Sequence, residues 1–167
     1  MRGVNWNEWL RGHTEEVLTE IGIQKGQIVL DFGCGSGIYA IPAARLVGEG
    51  GKVYALDKNE EALKTVTGNA EKLGLENIKT IHSDMIKTGL DNESIDVVLL
   101  YDVIHLIEDR STLFSEIHRI LKPESIASVY PMHVKTDEIK KQMYENGFSL
   151  RDEQYEGNIL NFMRGTG

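Results

Sequence analysis

Short apolar runs alternate along the chain with longer segments whose apolar residues recur every three or four positions. Such runs are typical of buried strands, and the longer segments are typical of helices with one buried face. The runs predict strands at 28–30, 52–57, 78–82 and 95–101. This alternation predicts an α/β fold, with a parallel sheet covered by helices on both faces.

Helices are predicted where the apolar spacing is helical and capping residues flank it. Thr14 is predicted to cap the first, which ends at Gly22, and Asn59 begins another. The last is predicted to run from a Thr136 cap to Gly147. Two short strands follow, at 148–151 and about 159–163. Their connection is too short for a parallel crossover, so they should pair antiparallel.

A glycine-rich segment follows the first strand: Asp31-Phe32-Gly33-Cys34-Gly35-Ser36-Gly37. Glycine tolerates positive φ and lets a backbone approach a ligand closely, so the segment indicates a nucleotide-type pocket. The dinucleotide fingerprint needs its third glycine one position later, where Ile38 stands. The spacing therefore disfavours NAD and FAD.

The pattern D-x-G-x-G-x-G resembles motif I of the class I S-adenosylmethionine (SAM) dependent methyltransferases. The resemblance implies a Rossmann-like, doubly wound sheet of seven strands in the order 3-2-1-4-5-7-6, with strand 7 antiparallel. The cofactor, SAM, with S-adenosylhomocysteine as its product, would lie beyond the carboxyl ends of strands 1, 2 and 4.

Three later segments match the family in order. By resemblance, Asp57 holds both ribose hydroxyls, Asp84 accepts from the adenine amine, and the Met85 backbone N–H meets a ring nitrogen. Tyr101 ends the fourth strand and is expected to line the pocket. The predicted cofactor-binding set is Asp31, Phe32, Gly33, Cys34, Gly35, Gly37, Asp57, Lys58, Ser83, Asp84, Met85 and Tyr101.

The segment 101–105 should face the methyl group, and it resembles the branch of ubiquinone and menaquinone biosynthesis methyltransferases. His105 is the main catalytic candidate, as an acceptor-orienting group or base, and Tyr101 is the second. A hydrogen-bonded structural histidine is the alternative for His105. His133, after the fifth strand, is a weaker candidate for the acceptor site. No metal is expected, because no second carboxylate stands beside Asp102 and the other histidines lack ligand spacing.

One departure from the family concerns the turn at Leu121-Lys122-Pro123. Relatives usually continue with Gly-Gly, whereas this chain has Glu124-Ser125. The departure affects the expected geometry of that turn and leaves the cofactor residues unchanged.

Size and charge narrow the function. The length of 167 residues fits one domain, 1–167, in which 1–13, with Trp6 and Trp9 ahead of the first predicted helix, could form a lid. A net charge of −8 makes nucleic acid an unlikely partner. The single cysteine and the lack of a long apolar run predict a cytoplasmic protein away from membranes.

These observations predict a SAM-dependent methyltransferase that acts on a small organic acceptor by in-line displacement. Few insertions surround the last strands, so the acceptor pocket should be shallow, or completed by a partner in a homodimer. One alternative is a noncatalytic SAM-binding regulatory module. Another is a protein or RNA methyltransferase with an open acceptor face. The acceptor and its attacking atom are left open.

Overall fold

A seven-stranded mixed sheet forms the centre of the protein, whose computed structural model describes residues 3–165. The strands are β1 (Ile28–Phe32), β2 (Lys52–Asp57), β3 (Ile78–His82), β4 (Ile95–Tyr101), β5 (Leu121–Tyr130), β6 (Phe148–Gln154) and β7 (Ile159–Arg164). Their order is β3-β2-β1-β4-β5-β7-β6, and β7 is antiparallel to both β5 and β6. The predicted fold class is confirmed.

Helices cover both faces of this sheet. They are α1 (Trp6–Gly12), α2 (Thr14–Ile21), α3 (Ala40–Val47), α4 (Glu60–Lys72), α5 (Arg110–Ile120) and α6 (Thr136–Glu145), and a short 3₁₀ helix spans Ile104–Leu106. Alternate β4 residues separate the two cores. Leu99 and Tyr101 pack in the cluster that contains residues of α1 to α4, whereas Val98 and Leu100 pack in the cluster that contains residues of α5 and α6.

The helix starts were predicted only in part. Asn59 caps α4 as expected, because its side chain accepts from the backbone N–H groups of Glu61 and Ala62. The caps predicted at Thr14 and Thr136 are wrong, since each is the first helical residue and follows a cap without a side-chain bond. His13 ends α1 and also precedes α2, which leaves Thr14 no cap position. Trp6 and Trp9, expected ahead of the first helix, lie within α1.

The fifth strand departs from the predicted turn. It starts at Leu121, which pairs with Ile95, and the next pair is Val97 with Ile126, so residues 122–125 bulge out. Within this bulge Glu124 has a φ of 66°, in the region that favours glycine. The side chain at 124 is therefore held in the conformation that the family's glycine would adopt freely.

Candidate functional site

The glycine turn is fastened to the end of β2. The N–H groups of Gly33 and Cys34 donate to the Leu56 carbonyl at 2.8 and 2.9 Å, and the Gly35 N–H donates to Asp57 Oδ2 at 2.9 Å. Gly33 has a φ of 75°, and a Cβ there would stand 2.4 Å from Cγ2 of Val103. Glycine is thus required at 33 by both conformation and space.

Asp31 brings a buried carboxyl group to this turn. Its Oδ2 atom is shielded from solvent and takes no hydrogen bond. The pKa of Asp31 is raised to about 7, first by burial and then by the nearby Asp57 carboxylate, while a bond from the Ala40 backbone lowers it. A buried carboxylate oxygen without a donor is costly unless a ligand supplies one. The atom is suited to a cationic or N–H-bearing ligand group.

The other side of the turn is open and faces Asp57. A Cβ built at Gly35 would meet nothing within 4 Å, so there is room for a ligand beside the backbone. Asp57 Oδ1 accepts from the Asn59 N–H at 2.9 Å, while Oδ2 takes the Gly35 bond. Each oxygen keeps a second lone pair. The carboxylate is therefore held in a fixed orientation and can still accept from two hydroxyls.

The segment predicted to read adenine is a compact turn after β3. Asp84 Oδ1 accepts from the N–H groups of Ile86 and Lys87 at 3.1 and 3.3 Å, and these bonds lower the pKa of the carboxyl. Met85 has a φ of 72°, and its N–H lies 3.3 Å from Ser83 Oγ. The Met85 N–H makes only this long bond, which a ligand nitrogen can replace.

A cavity of about 290 Å³ opens at this turn. It is lined by Lys58, Asp84, Met85, Ile86, Leu106, Ile107, Glu108 and Asp109. A larger cavity of about 770 Å³ lies near Gly48 and Asn77, before the amino ends of β2 and β3, and its lining includes none of the predicted site residues. The smaller cavity is the one whose lining includes predicted cofactor-binding residues, namely Lys58, Asp84 and Met85.

Two residues of the predicted cofactor set contribute little through their side chains. The Phe32 ring is fully buried in the core beside α5 and α6. The Cys34 thiol is buried and donates to the Gly35 carbonyl at 3.5 Å, and burial raises its pKa above the usual range. Phe32 and Cys34 therefore place the backbone of the turn.

Tyr101 lies at the end of β4 among other aromatic rings. Its hydroxyl is 2.7 Å from Ser128 Oγ, and burial raises its pKa above the usual range. The rings of Tyr39 and Tyr130 pack edge-on against it, with centroids at 4.9 and 6.4 Å. The sequence analysis missed both. Tyr130 could have been found, since it ends β5 beside Tyr101, as the parallel sheet requires.

The residues predicted for the acceptor site lie close together just beyond the ends of β4 and β5. His105 Nδ1 lies 3.7 Å from Asp102 Oδ1, and His133 Nε2 lies 3.9 Å from the same oxygen. The two imidazole rings meet edge-on with centroids 4.5 Å apart. The structure thus places His105, the main catalytic candidate, and His133, the weaker one, close to Asp102. The sequence analysis gave no role to Asp102.

The described part of the predicted lid packs against the turn between β6 and β7. The Trp9 ring stacks on His13 at 4.1 Å and lies 5.2 Å from the Tyr155 ring. The pKa of Tyr39 is raised to about 12, chiefly by burial, and the charge of Arg11 acts in the opposite direction, which places that charge near the site. Residues 1 and 2 lie outside the described residues, and the lid stays a prediction.

The sheet order and the glycine turn after β1 define the fold of a class I SAM-dependent methyltransferase, and the acid that ends β2 lies against that turn. The chain belongs to the methyltransferase family, because the family model described as "Methyltransferase domain" matches residues 23–164. SAM is the cofactor of this family. The buried free oxygen of Asp31 and the open space at Gly35 fit a cofactor with a cationic amine.

Individual relatives agree with this assignment. Demethylmenaquinone methyltransferase of Geobacillus stearothermophilus is 34% identical over 112 residues, which cover 67% of this chain and 48% of that protein. The chain spans about half the length of the curated relatives it matches. A solved SAM-dependent methyltransferase from Aquifex aeolicus is 26% identical with a TM-score of 0.78, covering 90% of this chain and 87% of that one.

A third similarity limits what the fold alone implies. The solved [4+2]-cyclase SpnF has a TM-score of 0.83 at 14% identity, covering 99% of this chain and 85% of that chain. The same architecture thus carries a different named reaction. In the described range, 3–165, every helix is too short or too polar to cross a membrane.

Proposed function

We propose that this chain is a SAM-dependent methyltransferase whose acceptor is a small organic molecule. The observation that carries the proposal is the pairing of two acids at the glycine turn. Asp57 is oriented by the Gly35 N–H, and Asp31 keeps a buried oxygen free. SAM supplies an electrophilic methyl group on a sulfonium. The residues around it bind and align the reactants, which can contribute on the order of 7–11 kcal/mol through orientation alone.

On this proposal each predicted residue has a binding role. Asp57 accepts from the ribose hydroxyls, Asp84 and the Met85 N–H recognise adenine, and Asp31 faces the methionine amine. The Gly35 backbone lies along the cofactor, since a side chain there would fill the open space, and Gly33 allows the turn to pack on Val103.

The acceptor is proposed to stand between the tyrosine cluster and the histidine pair. Tyr39 is half-buried and packs on the buried Tyr101 ring, so its exposed part offers an aromatic surface that suits a planar ring. His105 is proposed to orient the acceptor. We assign Tyr101 to the wall of the site, because its hydroxyl is engaged with Ser128 and its raised pKa disfavours proton transfer. The curated relatives are named for demethylmenaquinone, which is consistent with a ring-shaped acceptor. The cytoplasmic location and the homodimer stay predictions.

Calorimetry with S-adenosylhomocysteine and NAD tests the cofactor site. The wild type should bind the former and not the latter. Asp57→Ala should weaken binding at least tenfold, because two charge-assisted hydrogen bonds of about 1.5–3 kcal/mol each are lost. Asp84→Asn keeps an acceptor oxygen and should weaken it less. Unchanged affinity in a folded Asp57→Ala protein would reject the ribose assignment.

Labelled SAM incubated with a metabolite extract then tests transfer itself. Label should move to a small organic product in the wild type. Binding of S-adenosylhomocysteine without any transfer of label would instead support the noncatalytic module.

A further inference from the structure

Asp102, His105 and His133 form a cluster of potential metal ligands at the acceptor side of the site. Their ligand atoms all lie within 4.8 Å of one another. We propose that these three residues bind a divalent transition-metal ion. This proposal departs from the sequence-based expectation of no metal.

Backbone structure places the three ligands at one point. Tyr101 and Tyr130 end β4 and β5 as a registered pair, and the turns beyond them carry the cluster. Asp102 adopts a φ of 56°, and its N–H donates to the Tyr130 carbonyl. This bond connects the turn after β4 to the end of β5. Aspartate tolerates this left-handed conformation better than most residues. His105 follows three residues later, on the 3₁₀ helix, and its Nδ1 atom lies 3.7 Å from Asp102 Oδ1.

The Asp102 carboxylate has an unfilled binding capacity. Its Oδ1 atom is buried and takes no hydrogen bond, although both imidazoles stand 3.7 and 3.9 Å away. A cation shared with the two histidines would satisfy the oxygen, which no donor in residues 3–165 does at hydrogen-bonding distance.

The ligand types select the kind of metal. Two imidazole nitrogens and one carboxylate oxygen suit zinc and its transition-metal neighbours, whereas magnesium and calcium prefer oxygen ligands. Zinc–nitrogen bonds of about 2.0–2.1 Å require the present separations to close by roughly 1 Å, which side-chain rotation can achieve. His133 is exposed, and three protein ligands leave a coordination position free.

The free position is where an acceptor oxygen would bind, and this part of the inference rests on the proposed function. A bound metal would lower the pKa of a coordinated hydroxyl, whose proton would pass to bulk water. The oxygen would then form a bond to the methyl carbon of SAM as the carbon–sulfur bond breaks, and S-adenosylhomocysteine would leave. No oxidation or reduction is involved. Val103 connects the cluster to the cofactor side, since it lies against Gly33 between Asp102 and His105. His105 would then orient the acceptor through the metal.

Zinc titration of the metal-stripped chain, followed by calorimetry, tests the site. One zinc ion should bind per chain, and Co²⁺ should give the visible absorption of a low-symmetry site. Asp102→Asn, which tolerates the positive φ, and His133→Ala, at an exposed position, should each weaken zinc by about 100-fold or more.

His82→Ala is the matched control, because His82 lies 3.4 Å from Glu60 in an exposed histidine–carboxylate pair to which the described residues add no third ligand. It should leave zinc affinity unchanged. Equal zinc affinity in the wild type, Asp102→Asn and His133→Ala would overturn the proposal. Binding of S-adenosylhomocysteine, measured on the same samples, separates that result from a failure of the cofactor site.

Discussion

Asp31→Asn should stabilise the free protein at neutral pH and weaken its binding of SAM. The wild-type carboxyl is fully buried, and its pKa is raised from 3.8 to about 7, first by burial and then by the charge of Asp57. Between these two values the unfolded chain is ionised and the folded chain holds a proton. The free energy of unfolding must therefore fall as the pH rises through this window.

The magnitude follows from the pKa difference. Each pKa unit corresponds to about 1.4 kcal/mol, so the wild type should lose about 4 kcal/mol between acidic and neutral pH through Asp31. Asparagine does not titrate and avoids this loss. Its altered hydrogen bonds add an offset that does not vary with pH. The difference in stability between the variant and the wild type should therefore grow from pH 4 to pH 7 and then stay constant.

Urea denaturation of both proteins across this pH range measures the difference directly. Asp109→Asn is a control of opposite sign, because bonds from Thr112 lower the pKa of Asp109. This carboxylate stabilises the fold above its unfolded pKa, so its variant should be less stable at neutral pH and approach the wild type in acid. Parallel stability curves for the wild type and Asp31→Asn would refute the reasoning. Calorimetry at neutral pH should show that Asp31→Asn binds S-adenosylhomocysteine more weakly.

Two further changes test local assignments. Glu124→Gly should raise the free energy of unfolding by about 1 kcal/mol, since a side chain at positive φ is strained. Glu124→Ala is the control, because it removes the same charge and keeps the strain. It should not raise the melting temperature. Tyr101→Phe should lower stability by about 1 kcal/mol through the lost Ser128 bond and leave turnover nearly unchanged. A large loss of turnover at unchanged stability would restore Tyr101 as a catalytic group.

The sheet and the cofactor side could be predicted because both depend on local signals. β2, β3 and β4 have the bounds that their apolar runs indicate. The glycine turn requires residues that tolerate positive φ, and Gly33, Gly35 and Gly37 all have it. Each acid of the cofactor side, Asp31, Asp57 and Asp84, stands within two residues of the end of a strand, so its position follows from the strand boundary.

The exact starts of the helices could not be predicted, because they depend on the neighbouring elements of structure. Thr14 has the composition of a cap, yet α1 continues up to Gly12 and His13 takes the cap position instead. The start of β5 was missed for a similar reason. Lys122 and Asp96 form an ion pair at 2.9 Å, and Asp96 also accepts from the Ile28 N–H at the start of β1. These long-range contacts hold the bulge, and no local pattern encodes them.

The acceptor side shows why chemistry is harder to predict than fold. Asp102 and His133 are separated by the whole of α5 and β5, and they meet only because Tyr101 and Tyr130 end their strands in register. The positive φ at Asp102 then turns the following segment so that His105 comes near the same carboxylate. A one-residue change in the register of β5 would reverse the faces of its side chains and separate the cluster. The proposed metal site is therefore a product of tertiary pairing, whereas the glycine turn is a product of local sequence. For this reason the sequence, in which no second carboxylate stands beside Asp102 and the other histidines lack ligand spacing, indicated no metal, whereas the geometry groups Asp102 with two histidines.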